Sequence, residues 1–193
     1  MPFRIAVVQM PTVPGALEAN RARAIDLARQ ALSRGADLVL FHEGLLVGYH
    51  EDYRDLAEAA DGPTTRAFRE LIGKSDARIL YGLNERDGAD FYLSAVLVGR
   101  CGVEAVYRKT HLWWKSKGLR HEPAYYSAGD ALVTFALQDH KSGAMICYDG
   151  DFPETTRAYA ARGCRMLFWL NNRESRGHKE VRDLARRNSL VIA

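Results

Sequence analysis

Cysteine is scarce: Cys101, Cys147 and Cys164 cannot all pair, and no two of them share a CxxC spacing, so the chain carries no disulfide framework. Its opening, MPFRIAVVQMP, has only a short apolar run and no secretory leader, so a reducing cytoplasm is the expected location. Long hydrophobic stretches are missing too; nothing approaches the roughly 18 consecutive apolar residues that span a bilayer, and no membrane role is expected. Positive charge is not in excess, since 27 Lys and Arg stand against 24 Asp and Glu for a net charge of +3. Without a basic block there is no nucleic-acid footprint. His42, His50, His111, His121, His140 and His178 form no HExxH or similar spacing with a credible ligand set. The glycine patterns of nucleotide-binding loops are also missing, so neither a metal nor another cofactor is expected.

What is present is an alternation of short apolar runs with helical periodicity. Arg4 to Gln9 is too short and too β-branched for a helix and reads as a first strand. From Leu17 to Arg34, Ala24, Leu27, Ala28 and Ala31 recur at three- and four-residue steps, and Gly35 is placed to stop the helix. Further strands are expected at Asp37 to Phe41, Arg78 to Leu83, Tyr92 to Val98, Glu104 to Tyr107, Val133 to Phe135, Ala144 to Cys147 and Met166 to Leu170. NERDGAD, between the strands at 78–83 and 92–98, reads as a turn. Helices are expected at Thr64 to Lys74, Pro153 to Arg162 and His178 to Asn188, with Leu190 to Ala193 beginning one more strand. The pattern implies one α/β layered domain over residues 1–193. His111 to Asp130 is long, aromatic and irregular, which suits a functional loop.

Three residues follow apolar strands at comparable places: Glu43 in LVLFHEGLLVGY, Lys109 in VYRKTHLWW and Cys147 in GAMICYDGDFPE. Delivered to one edge of a sheet, an acid, an amine and a thiol are the parts of covalent acyl transfer. A thiol of pKa about 8.5 is mostly protonated, so a base must take its proton before sulfur attacks a carbonyl or nitrile carbon. Glu43 is the candidate base, and it can return that proton to the departing amine. Lys109 offers positive charge to a tetrahedral oxyanion, together with a backbone N–H such as that of Tyr148. Singly, each has a plainer explanation: a cysteine ending a strand is commonly a small buried hydrophobe, as Cys164 is expected to be, and a Glu or Lys after a strand is commonly solvated. The set of three changes that balance.

These segments resemble the nitrilase superfamily of carbon-nitrogen hydrolases. FHEGLLVGY is similar to the family's glutamate segment, YRKTHL to its lysine segment, and ICYDGDFPETTRAYAARGC to its cysteine segment with the following helix. RIAVVQM and GADLVLFHE extend the similarity over nearly the whole chain. The resemblance implies an α-β-β-α sandwich in which Cys147 is the nucleophile, Glu43 the general base and acid, and Lys109 the stabiliser of the tetrahedral intermediate. It places a supporting glutamate at Glu122, whose plainer role is a loop ion pair. It also implies association into a homodimer or larger homo-oligomer. Two departures stand out: FHE, where the family commonly has proline before the acid, and a chain shorter than family domains, for which the C-terminal strands of the sandwich are expected to be lacking.

Within the family, Trp-Glu after the nucleophile marks true nitrilases, whereas Cys147-Tyr148-Asp149 is more typical of amidase and carbamoylase branches. A small-molecule amide or N-carbamoyl substrate is therefore expected, with Tyr49, Trp113, Tyr148, Asn172 and Arg173 as candidates for its recognition. Arg173 suits a substrate carboxylate as a bidentate donor, or is simply a surface arginine. The same three residues also fit nitrile hydrolysis, transfer of the acyl group to another amine, or an ammonia-producing domain of a larger synthetase. An inactive relative kept as a binding or oligomer-forming module is the alternative from another class.

Overall fold

The computed structural model describes residues 2–48, 52–114, 121–172 and 178–193. β1 (Ile5–Val7), β2 (Leu38–Leu40), β3 (Arg78–Asp87), β4 (Asp90–Gly99) and β5 (Gly102–Arg108) form one sheet in that order. Its first three strands are parallel and its last two pairings antiparallel. β6 (Thr134–Leu137), β7 (His140–Ile146), β8 (Met166–Leu170) and β9 (Val191–Ile192) form the second, also in order. There β6 runs against β7, while β7, β8 and β9 are parallel.

Side chains alternate across a strand, and this alternation builds the layers. Leu38 and Leu40 of β2, with Leu80, Ala95, Leu97 and Tyr107, face the second sheet and meet Ala144, Ile146, Phe168 and Leu170. Val39 and Phe41 point the other way, where with Ile79, Tyr81 and Val96 they receive α1 (Leu17–Ser33) and α2 (Pro63–Ile72). On the far side, Met145, Leu167 and Trp169 pack against Tyr159 of α3 (Pro153–Ala161) and Leu184 of α4 (His178–Asn188). The result is helices, sheet, sheet, helices. The central strands β2 and β8 are buried on both faces, which explains why they read as continuous apolar runs. Each large apolar side chain sealed in the seam between the sheets contributes about 1.5–3 kcal/mol.

α1 faces its sheet with Ala24, Ala28 and Ala31, small residues that let helix and sheet approach closely. It stops at Gly35, whose φ of +81° favours glycine.

One expectation fails in detail. NERD of the sequence belongs to β3 and Asp90 to β4, and the turn is reduced to Gly88 and Ala89. Asn84 and Glu85 are buried there because both are satisfied. Asn84 Nδ2 donates to the Tyr126 hydroxyl at 2.7 Å, and Glu85 accepts from Arg108 Nη2 at 2.6 Å and from the Ser94 hydroxyl. Polar letters in a strand do not mark a turn when each has a buried partner.

Candidate active site

Glu43 lies just beyond β2, in a segment held by the backbone of β3. Gly82 makes this possible: a Cβ at that position would lie 2.6 Å from the His42 carbonyl oxygen and 2.8 Å from Glu43 Cα. Both are backbone atoms and cannot swing aside. Gly82→Ala is expected to cost about 1–3 kcal/mol of unfolding free energy through overpacking, read from a urea denaturation midpoint at unchanged slope. An unchanged midpoint would contradict this close approach.

Lys109 directly follows β5. Its backbone is pinned on both sides, its N–H donating to Leu93 O at 2.8 Å and its carbonyl accepting from Gly129 N–H at 2.8 Å. The side chain is fully buried, and Nζ donates to Glu43 Oε1 at 2.9 Å and to Glu122 Oε1 at 2.7 Å. Glu122, also buried, accepts the Trp113 N–H on Oε2 at 2.6 Å, while its own N–H donates to Trp113 O at 3.0 Å. A buried ammonium is tolerated only when paired and hydrogen-bonded, and here two carboxylates supply both. Glu43 Oε2 is different: it is buried and has no hydrogen-bond partner among the described residues. The structure thus joins Glu43, Lys109 and Glu122 in direct contact.

Cys147 directly follows β7 and opens a 3₁₀ turn, Cys147–Asp151, that leads into α3. Its φ of +44° lies in the left-handed region that non-glycine residues seldom occupy, and such strain concentrates at functional sites. The turn is over-determined by its neighbours. Trp169 of β8 donates Nε1–H to Cys147 O at 3.0 Å, and its ring lies where a Cβ on Gly150 would be.

Asp149, fully buried, ties this turn to the lysine segment. Oδ2 accepts from Ile146 N–H at 2.9 Å and from the Tyr107 hydroxyl at 2.7 Å. Oδ1 accepts from the Thr110 hydroxyl at 3.0 Å and His111 N–H at 2.9 Å, with His111 Nδ1 also at 3.0 Å. Burial, and then the neighbouring Asp149 charge, push the Tyr107 hydroxyl far above its usual range, so it remains a donor. Asp149 thereby joins the segment that follows Lys109 to the end of β7, next to Cys147.

Of the recognition candidates, Tyr148 is buried and Trp113 half-buried, and their rings meet edge to face at 4.9 Å. Asn172 is exposed just beyond β8, with Nδ2 3.8 Å from where a Cβ on Gly44 would sit. It therefore borders the Glu43 segment. Tyr49 and Arg173 lie outside the described residues. The sequence reading missed the tethering roles of Asp149, Tyr107, Thr110, His111 and Trp169. Thr110 and His111 directly follow Lys109, and Asp149 sits two residues beyond Cys147, the only hints the sequence holds. Cys164 is buried beneath α3 and α4, as expected, and Cys101 is exposed in the turn between β4 and β5. Among the described residues no group of His, Cys, Asp and Glu could hold a metal ion, and no helix is long and apolar enough to cross a membrane.

Comparison with known proteins follows the same lines. The carbon-nitrogen hydrolase family model matches residues 4–190. An (R)-stereoselective amidase of Pseudomonas sp. is 31% identical over 171 residues, 88% of this chain and 60% of that protein. A nitrilase of Pyrococcus abyssi is 31% identical over 170 residues, 85% of this chain and 63% of the relative. This chain thus spans about three fifths of the length of these curated relatives. Among solved structures, an amidase from Nesterenkonia sp. superimposes with a TM-score of 0.85 at 22% identity, covering 99% of this chain and 74% of that one. A glutamine-dependent NAD+ synthetase from Acinetobacter baumannii gives a TM-score of 0.82 at 24% identity, covering 98% of this chain and 37% of the synthetase. With its four-layer architecture and a family match over nearly all its residues, this chain belongs to the carbon-nitrogen hydrolase family, the nitrilase superfamily.

Proposed function

We propose that the protein hydrolyses the carbon–nitrogen bond of a small linear amide or N-carbamoyl compound through a thioester on Cys147. The observation carrying this reading is the buried group in which Lys109 holds Glu43 by one carboxylate oxygen and leaves the other oxygen unpartnered among the described residues. A desolvated carboxylate oxygen with no competing donor is suited to accept a proton.

In this reading Glu43 Oε2 takes the thiol proton as Sγ of Cys147 bonds to the substrate carbonyl carbon. The carbonyl π electrons move onto oxygen, and the ammonium of Lys109 with the Tyr148 N–H stabilises that charge. When the tetrahedral centre collapses, Glu43 returns the proton to nitrogen and ammonia or an amine departs. Glu43 then deprotonates a water that attacks the thioester carbon, sulfur leaves as thiolate, and the proton passes back to it. Glu122 orients Lys109 throughout. Trp113, Tyr148 and Asn172 form the recognition set within the described residues. Tyr-Asp after the nucleophile favours amides and carbamoyl compounds over nitriles, and a mouse omega-amidase, 32% identical over 173 residues, is among the relatives.

The test is an ammonia-release screen across short amides, N-carbamoyl amino acids and nitriles, with mass detection of an adduct on Cys147. Acrylamide is a suitable trap, since it adds to the active-site cysteine of a glutamate-to-glutamine variant of the Nesterenkonia amidase. Release from amides or carbamoyl compounds with an adduct on Cys147 supports the reading; release without one, or from nitriles alone, removes it. Iodoacetamide at neutral pH gives a further expected result: Cys147 labels ahead of Cys101, although Cys101 is exposed. Cys164 labels last, because burial pushes its thiol above the ordinary range. Equal, slow labelling of Cys147 and Cys101 would favour a binding module without catalysis.

A further inference from the structure

His42, immediately before the candidate base, takes no part in the chemistry above. Its ring is half-buried and lies between two backbone carbonyls, Nδ1 2.7 Å from Glu43 O and Nε2 3.0 Å from Met10 O. Both partners can only accept. With a single ring proton one of these contacts is a hydrogen bond, and with both protons the ring bridges the two carbonyls. The loop leaving β1 is thereby tied to the peptide that joins Glu43 to Gly44.

That peptide needs holding. Gly44 has a φ of +66°, and glycine enters both halves of φ space at little cost, so the Glu43–Gly44 unit is a place where the backbone can flip. On one side the path is blocked by Gly82, packed against His42 O and Glu43 Cα. Further along, Gly44 O is taken by Gly48 N–H at 2.9 Å. The Glu43 carbonyl itself is held by His42. A shift of this peptide away from His42 would be passed to Glu43 Cα and move a carboxylate whose Oε1 stands 2.9 Å from Lys109 Nζ. The ring also lines a cavity of about 310 Å³ shared with Gln9, Met10, Asn171 and Asn172, so solvent can reach the clamp.

We infer that His42 is a positioning residue that fixes the Glu43 carboxylate by hydrogen-bonding the Glu43 backbone carbonyl, chiefly through Nδ1. The inference rests on Glu43 being the general base. An imidazole Nδ1–H is imitated by an asparagine amide and an Nε2–H by a glutamine amide, whereas phenylalanine keeps the shape and loses both donors. Misplacement of a catalytic group by about 1 Å costs on the order of 10²-fold in rate.

The experiment compares His42→Phe, His42→Asn, His42→Gln and Glu43→Gln in the full-length protein, on the amide released fastest in the screen. Expected are a kcat of His42→Phe lower by about 10- to 100-fold at near-constant KM, recovery of most of that loss in His42→Asn, and little recovery in His42→Gln. A His42→Phe protein that turns over like wild type while Glu43→Gln is inactive overturns the positioning role and leaves the general base intact. Equal losses in all three His42 variants with lowered Tm overturn it as well, since they mark a merely structural ring. Wild-type turnover in Glu43→Gln removes the proposed base, and this inference with it.

Discussion

Replacing Cys147 with alanine is expected to abolish ammonia release, with kcat falling by about 10⁴-fold or more, as when the nucleophile of a covalent mechanism is deleted. Stability should change little, by about 1 kcal/mol, because the substitution removes one small, nearly buried atom and keeps Cβ. Alanine also keeps the unfavourable φ of +44°, so the backbone of the turn is not relieved of strain. Two contacts that fix the turn are made by other atoms and survive the substitution: Trp169 binds the Cys147 carbonyl, and Asp149 binds the Ile146 N–H. The measurement pairs an ammonia assay with urea denaturation. Unchanged turnover in the alanine variant would eliminate the thioester route, however well the remaining geometry suits it.

Lys109→Met is expected to damage both activity and folding. Methionine fills the space of the lysine stem as far as Cε but leaves Glu43 and Glu122, both buried, with no cation between them. Removing one partner of a buried ion pair typically costs 3–5 kcal/mol, because the remaining charge is stranded without solvent. Lys109→Arg should not rescue turnover, since a planar guanidinium cannot take the place of a compact ammonium between two oxygens. Adding Glu122→Gln to Lys109→Met removes one stranded charge and should return part of the lost stability without restoring activity. A double-mutant cycle read by denaturation measures that coupling. If the two substitutions are simply additive, Lys109 and Glu122 do not share the buried pair seen here.

Much of this was legible in the sequence, and the reasons are physical. β2 and β8 are sealed on both faces, so LVL and MLFWL announce themselves as uninterrupted apolar runs. α1 shows its buried alanines at helical spacing. Glu43, Lys109 and Cys147 stand out because an acid, a cation and a thiol each come within two residues of the end of an apolar run. Glu122 was reached through resemblance alone, since nothing in HEPAYY says that its carboxylate would be buried on an ammonium thirteen residues earlier. Asp149 was hidden for a similar reason: its partners come from β5, the segment after it and the end of β7, which only the folded sheets bring together. Gly82 gave no signal, because a glycine in a strand does not disclose which backbone presses against it. Asn84 and Glu85 misled, since sequence polarity cannot distinguish a solvated turn from a buried pair of satisfied side chains.

The candidate base and ammonium belong to segments leaving the first sheet, whereas the thiol leaves the second, and the bridge between them is the Asp149 carboxylate gripping Tyr107, Thr110 and His111. Neither half of the molecule owns the chemistry. A population in which the halves had parted, each keeping its strands and helices, would pass for native by circular dichroism and be unable to carry out the proposed reaction. Turnover is therefore a more sensitive gauge than ellipticity of whether the molecule is closed.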